Sequence, residues 1–274
     1  MSEGSSRLSG HPSRRRQRRL CGALAAAWVG LLVGGLFLDG CTKVEDAKNL
    51  AGTGSATELA PEIVQRVKDA VVLIEVRLRT AAGLLEATGS GFFISTDGYL
   101  ITNAHVVSLN ATTPDGTSVR ATERTLRVVL HSGTPAERTI AVKVVREHPV
   151  KDLALLKIDA KPPAILELGD SDTATETTRI FVCGHPLGLR EISIRSGTVT
   201  AHRTWDNRLF IEHDALAEGG NSGGPVINAE GKVVGVHVQS LGARGEALTK
   251  LAIPSNVVRE WLASDPKDDP QETP

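Results

Sequence analysis

From about residue 67 to 254 the chain is a succession of short apolar and β-branched runs, each cut off by Gly, Pro, Asp or Asn. Residues 71–76, 91–94, 99–102, 126–130, 140–145 and 153–158 form one set, and 180–183, 225–227 and 232–236 continue it. Runs this short cannot sustain a helical stripe, and β-branched side chains pack best on a pleated surface. The pattern therefore predicts an all-β barrel or sandwich. With 274 residues, 41% of them hydrophobic, the chain can bury a substantial core. Lys161-Pro162-Pro163 breaks the series and separates a first barrel over about 67–160 from a second over about 164–254. Two helices are expected at the flanks. One starts near Pro61, with Ile63, Val64 and Val67 at helical spacing; the other follows Pro254, with Ser255 as N-cap and Val257, Val258, Trp261 and Leu262 on one face.

Three segments carry residue types suited to acyl transfer: Thr102-Asn103-Ala104-His105, Lys151-Asp152-Leu153 and Gly220-Asn221-Ser222-Gly223-Gly224-Pro225. A serine hydroxyl attacks a carbonyl only when a base takes its proton, and the new oxyanion needs backbone N–H groups aimed at it. His105 is read as the base, Asp152 as the group that fixes its tautomer, and Ser222 as the nucleophile. The N–H groups of Gly220 and Ser222 are read as the oxyanion hole. Gly220–Gly224 also fits G-x-S-x-G, but that pattern requires a helix after the serine, whereas strand-like Pro225-Val226-Ile227 follows here. The order His, Asp, Ser separates the chain from the other common serine hydrolases.

The surrounding segments resemble the trypsin-like protease domain of the HtrA (Deg) family: Leu168-Gly169-Asp170-Ser171-Asp172, Gly184-His185-Pro186-Leu187-Gly188, Ser196-Gly197-Thr198-Val199-Thr200, Phe210-Ile211-Glu212-His213-Asp214-Ala215 and Ala252-Ile253-Pro254-Ser255-Asn256. The likeness runs from about Pro61 to Leu262. It implies two six-stranded antiparallel β-barrels of the chymotrypsin type, with short N- and C-terminal helices, within a protease domain over 59–263. It also implies serine endopeptidase activity on unfolded or misfolded proteins through His105, Asp152 and Ser222. The resemblance puts the floor of the acyl-side pocket at Leu216 and its far wall at Val238, Gln239 and Ser240. An apolar floor implies a small or medium aliphatic residue there. Where the family has Gly-Phe before Ala-Ile-Pro, this chain has Lys250-Leu251. Family members usually carry one or two peptide-binding PDZ domains after the protease; with twelve residues after Leu262, none is expected here. A switch between ordered and disordered states is expected around Arg190-Glu191-Ile192. The alternative function is a catalytically silent chaperone or docking module of the same fold. An esterase using the same three residues is a further rival.

Arg14-Arg15-Arg16-Gln17-Arg18-Arg19 precedes an apolar run from Leu20 to Leu38 that ends in Leu38-Asp39-Gly40-Cys41. A basic segment followed by an apolar one reads as an export signal over 1–41. Cys41 is the candidate lipidation site, and an uncleaved signal anchor is the alternative. Either way the domain is expected outside the cytoplasmic face, in the bacterial periplasm or cell envelope and tethered to a membrane. Residues 42–58 read as a flexible tether and 264–274 as a disordered tail.

Residues 1–41 hold six of the 31 basic and two of the 32 acidic residues, which leaves 25 against 30 and a formal charge of −5 over the rest. That balance excludes a basic nucleic-acid footprint. The partners expected are protein or peptide substrates and the membrane, with a homo-oligomer open. Cys21, Cys41 and Cys183 give no disulfide framework, and Cys183 is read as a small core residue. His131, His148, His185, His202, His213 and His237 are scattered with no metal-binding spacing. No metal or cofactor is expected. His213, near Ser222 in sequence, is read as a strand residue.

Overall fold

The computed structural model describes residues 58–270 apart from 82, 114–115 and 239–249. The export segment, Cys21, Cys41 and all of the tether but Glu58 lie outside the described residues. Among the described residues no helix is long and apolar enough to cross a membrane.

Helix α1 (Pro61–Ala70) opens the domain with proline at its first position, where the missing N–H is no loss. Two closed antiparallel barrels follow, as expected. The first is built from β1 (Val71–Thr80), β2 (Gly83–Phe93), β3 (Tyr99–Thr102), β6 (Glu123–Leu130), β7 (Arg138–His148) and β8 (Leu153–Ile158), in the ring order β1-β2-β3-β8-β7-β6. Between β3 and β6 lie the one-turn helix α2 (Ala104–Val107) and a small ribbon of β4 (Asn110–Thr112) and β5 (Ser118–Arg120). The second barrel comprises β9 (Arg179–Gly184), β10 (Ser193–Trp205), β11 (Arg208–His213), β12 (Pro225–Ile227), β13 (Val233–Val238) and β14 (Lys250–Pro254), in the order β10-β11-β14-β13-β12-β9. Helix α3 (Ser255–Ala263) closes against the second barrel.

Alternation along the strands decides which core each side chain joins. On β1, Val72, Ile74, Val76 and Leu78 fill the first barrel with Phe93, Leu100 and Leu156. The opposite faces supply Val71, Phe92, Ile101 and Leu153 to a second cluster, which they share with Phe181, Cys183, Val236, Ile253 and Trp261. That shared cluster packs the barrels against each other and fixes the seam along which the site lies. Cys183 is fully buried there, and burial pushes its thiol pKa up.

Two local expectations need correction. Ser255 is the first residue of α3, with extended Pro254 at the N-cap. Its hydroxyl donates to Gly169 O at 2.7 Å, so a tertiary acceptor has replaced the capping role. The tail is not free from residue 264. It makes a short turn (Pro266–Asp268) and brings Asp269 back to a buried ion pair with Arg146. Arg146 also donates to the carbonyls of Trp261 (2.8 Å) and Ser264 (3.0 Å) and lies over the Trp261 ring at 4.9 Å. A guanidinium buried on β7 demands an anion, and the tail supplies it. The pair's hydrogen bonding raises the pKa of Arg146 and lowers that of Asp269.

Candidate active site

Strand β3 ends at buried Thr102, and the chain turns at Asn103 into α2, so His105 projects from a rigid sheet edge. Asn103 Nδ2 donates to Asp152 O at 2.9 Å, tying this turn to the start of β8. Asp152 adopts φ 56°, a left-handed conformation that a short polar side chain tolerates. Its carboxylate accepts from the His105 amide at 2.9 Å (Oδ1) and from the ring Nδ1 at 2.8 Å (Oδ2). An ionised carboxylate can only accept, so Nδ1 carries the proton and Nε2 keeps a lone pair. The imidazole is 44% exposed and the carboxylate 14%: one end of the pair faces the cleft and the other is sheltered.

Ser222 lies on the tight turn between Glu218 and β12. Its Oγ is buried and has no hydrogen-bond partner among the described residues. The turn is fixed by backbone bonds to both barrels: Ser90 N donates to Ser222 O (2.8 Å), Gly223 N to His237 O (2.9 Å) and His237 N to Gly224 O (2.9 Å). At Gly223, with φ 83°, a Cβ would lie 2.2 Å from Thr102 Oγ1 and 2.3 Å from Ser90 O. Only glycine lets the serine turn approach the base of the histidine helix this closely. The structure thus brings the Ser222 turn against Thr102 and Asn103, immediately before His105.

The peptide ahead of Ser222 is also oriented. Leu187 N donates to Gly219 O at 2.5 Å. In a trans peptide the C=O and N–H point in opposite directions, so the Gly220 N–H is turned away from Leu187. On the other side Ser90 Oγ donates to Gly220 O at 2.7 Å and accepts from His185 N at 2.9 Å. Ser90 escaped the sequence reading. Its signal was Gly89-Ser90-Gly91, small residues inside a strand, which mark a close backbone approach.

Of the residues expected to line the acyl-side pocket, Leu216 and Val238 are described. Leu216 stands 62% exposed between buried Ala215 and Ala217. Extended backbone alternates its faces, and both alanines are committed to the second barrel's core, so Leu216 is turned away from that core. Val238 is half-buried at the end of β13; Gln239 and Ser240 lie outside the described residues. His213 is on β11, buried, with its Nε2 3.3 Å from Nδ1 of buried His237. Burial lowers both pKa values, to about 4 for His213 and about 3 for His237; neighbouring Lys250 adds to both effects.

Residues 89–236 match the family described as the trypsin-like peptidase domain. The chain belongs to that family. Its relatives are of the HtrA/Deg type. A probable periplasmic serine endoprotease, DegP-like, of Marinomonas sp. (strain MWYL1) is 36% identical over 193 residues, 68% of this chain and 37% of the relative. The mitochondrial serine protease HTRA2 of Bos taurus is 32% identical over 213 residues, 73% of this chain and 42% of the relative. Among solved structures, an HtrA-type protease with a tripeptide superposes with a TM-score of 0.58 at 28% identity, covering 74% of this chain and 62% of that one. This trypsin-like peptidase chain therefore spans about two fifths of the length of the curated relatives it matches.

Proposed function

We propose that the chain is a serine endopeptidase that hydrolyses peptide bonds of unfolded or misfolded proteins through an acyl-enzyme. The observation that carries the reading is the doubly bonded His105–Asp152 pair, with the turn that bears the unpartnered Ser222 hydroxyl packed against Thr102 and Asn103 just before it. Ser222 Oγ attacks the scissile carbonyl while His105 Nε2 takes its proton. Asp152 holds the imidazole in the tautomer this needs and stabilises the imidazolium that forms. The N–H groups of Gly220 and Ser222 receive the oxyanion. His105 then returns the proton to the departing amine, and water repeats the sequence on the ester.

The periplasmic naming of the DegP-like relatives supports export, and the basic and apolar segments of residues 1–41 support a membrane tether with Cys41 as its lipid site. The loop around Arg190-Glu191-Ile192, just after the Leu187 that holds the Gly219 carbonyl, is the proposed switch between ordered and disordered states. A fluorophosphonate serine probe should label the full-length chain, and denatured casein should be digested; Ser222→Ala should abolish both. A chain that neither reacts with the probe nor cleaves casein would be the silent docking module instead.

A further inference from the structure

Lys250 puts a charge on the segment that leads to Ser222. It opens β14, pairs in register with His213 on β11, and is followed by Leu251, which pairs with Val238 on β13. Its ammonium donates to Ala217 O at 2.6 Å. Ala217 is next to Leu216 and five residues before Ser222, so the ammonium sits on the segment that leads into the serine turn. An ammonium has three donors, and among the described residues this bond uses one of them.

Glu218, next in the chain to Ala217, is exposed, and the two acids on β11 and just after it are already engaged. Asp214 accepts from Thr198 N (2.6 Å) and Thr198 Oγ1 (2.9 Å), and Glu212 is paired with Arg203. Two imidazoles also lie near Lys250. His213 lies beside it, with Nδ1 buried and, among the described residues, unpartnered, and His237 follows, its Nδ1 3.3 Å from His213 Nε2. The backbone of His237 is the one that brackets the Ser222 turn. Among the described residues no carboxylate is bonded to this partly buried cation, so it suits an anion from outside.

We propose that Lys250, backed by His213 and His237, makes the acyl-side pocket selective for a residue with a carboxylate side chain, Asp or Glu. The proposal rests on the endopeptidase reading and replaces the aliphatic preference inferred from Leu216. A substrate carboxylate takes the two free ammonium donors in a charge-assisted contact that its amide isostere cannot match. Losing a partner for a buried polar group is what makes such sites discriminating, whereas a methylene more or less in an apolar pocket discriminates weakly.

The test uses the full-length chain and matched peptides that differ only in the acyl-side residue: Glu, Gln, Asp, Val or Arg. Glu should exceed Gln and Val at least tenfold in kcat/KM, and the Glu:Gln ratio should fall toward one in Lys250→Met while Lys250→Arg retains a Glu preference. Phosphonate probes carrying Glu or Val side chains, which report Ser222 acylation directly, should rank the same way. Val or Arg cleaved faster than Glu by the unaltered chain would overturn the proposal and leave the endopeptidase reading standing. So would a Glu preference that survives in a folded Lys250→Met. The unaltered chain's Glu:Gln ratio decides the matter even if that variant fails to fold. Absence of both cleavage and probe labelling would instead defeat the endopeptidase reading, and this proposal with it.

Discussion

At the scale of single residues, chemistry and visibility separate. His105, Asp152 and Ser222 were legible because each residue type is scarce in its role and sits in a local setting, at a strand end or in a glycine turn, that the role requires. Ser90, His237 and Lys250 were not, because what matters about each is a partner far away in sequence: Ser90 meets Gly220 across 130 positions and Lys250 meets Ala217 across 33. The histidine pair has a measurable signature. Burial holds both rings neutral, with folded pKa values of about 4 and about 3 against an ordinary 6.5. Between those limits the unfolded chain binds more protons than the folded one, so stability is complete above pH 6.5 and is lost as the pH falls. The expected slope is about 1 kcal/mol per histidine per pH unit. Urea unfolding from pH 7.5 to 4.5 should show this decline, and His237→Asn should flatten it. Equal slopes in the two proteins would remove the pair from the acid response.

At the scale of elements, the strands followed from composition because alternation and turn residues are local properties. The N-cap assigned to Ser255 did not hold, since a buried hydroxyl takes whichever acceptor the fold brings to it, here Gly169. The loops around the serine turn are positioned by β2 through one hydroxyl. Ser90 Oγ holds Gly220 O on one side and His185 N on the other, while Leu187, at a φ of 55° that costs a non-glycine residue about 1–2 kcal/mol, holds Gly219 O. Ser90→Ala removes the hydroxyl with little change in shape and strands one buried and one partly buried backbone group. Stability should fall by about 1–3 kcal/mol. Because the peptide that bears the Gly220 N–H loses an anchor, kcat on a peptide substrate should fall by about 10–100-fold with little change in KM. A loss confined to KM would mean that this hydroxyl supports substrate binding and not the oxyanion donors.

At the scale of the whole molecule, the proposed site depends on two barrels keeping their relation, since His105 and Asp152 come from one and Ser222 from the other. The shared apolar cluster supplies most of that attachment. The turn after α3 adds a polar clamp: α3 rests on the second barrel, and Asp269 reaches Arg146 on β7 of the first. Composition could not reveal this, because Ser264-Asp265-Pro266-Lys267-Asp268-Asp269-Pro270 has the polarity of a solvated tail, and a single buried ion pair leaves no periodic trace. Asp269→Ala would leave the buried guanidinium uncompensated, which typically costs about 3–5 kcal/mol. For a domain of this size that lowers Tm by roughly 6–20 °C. Asp268→Ala, one residue earlier on an exposed side chain, should change Tm by little. Replacing both partners, Arg146→Met with Asp269→Leu, should recover most of the loss, because the penalty comes from an unpaired charge and not from the absence of a bridge. If the double variant melts as low as Asp269→Ala, the clamp acts through its hydrogen bonds to Trp261 and Ser264 instead, and the tail is held by geometry and not by charge.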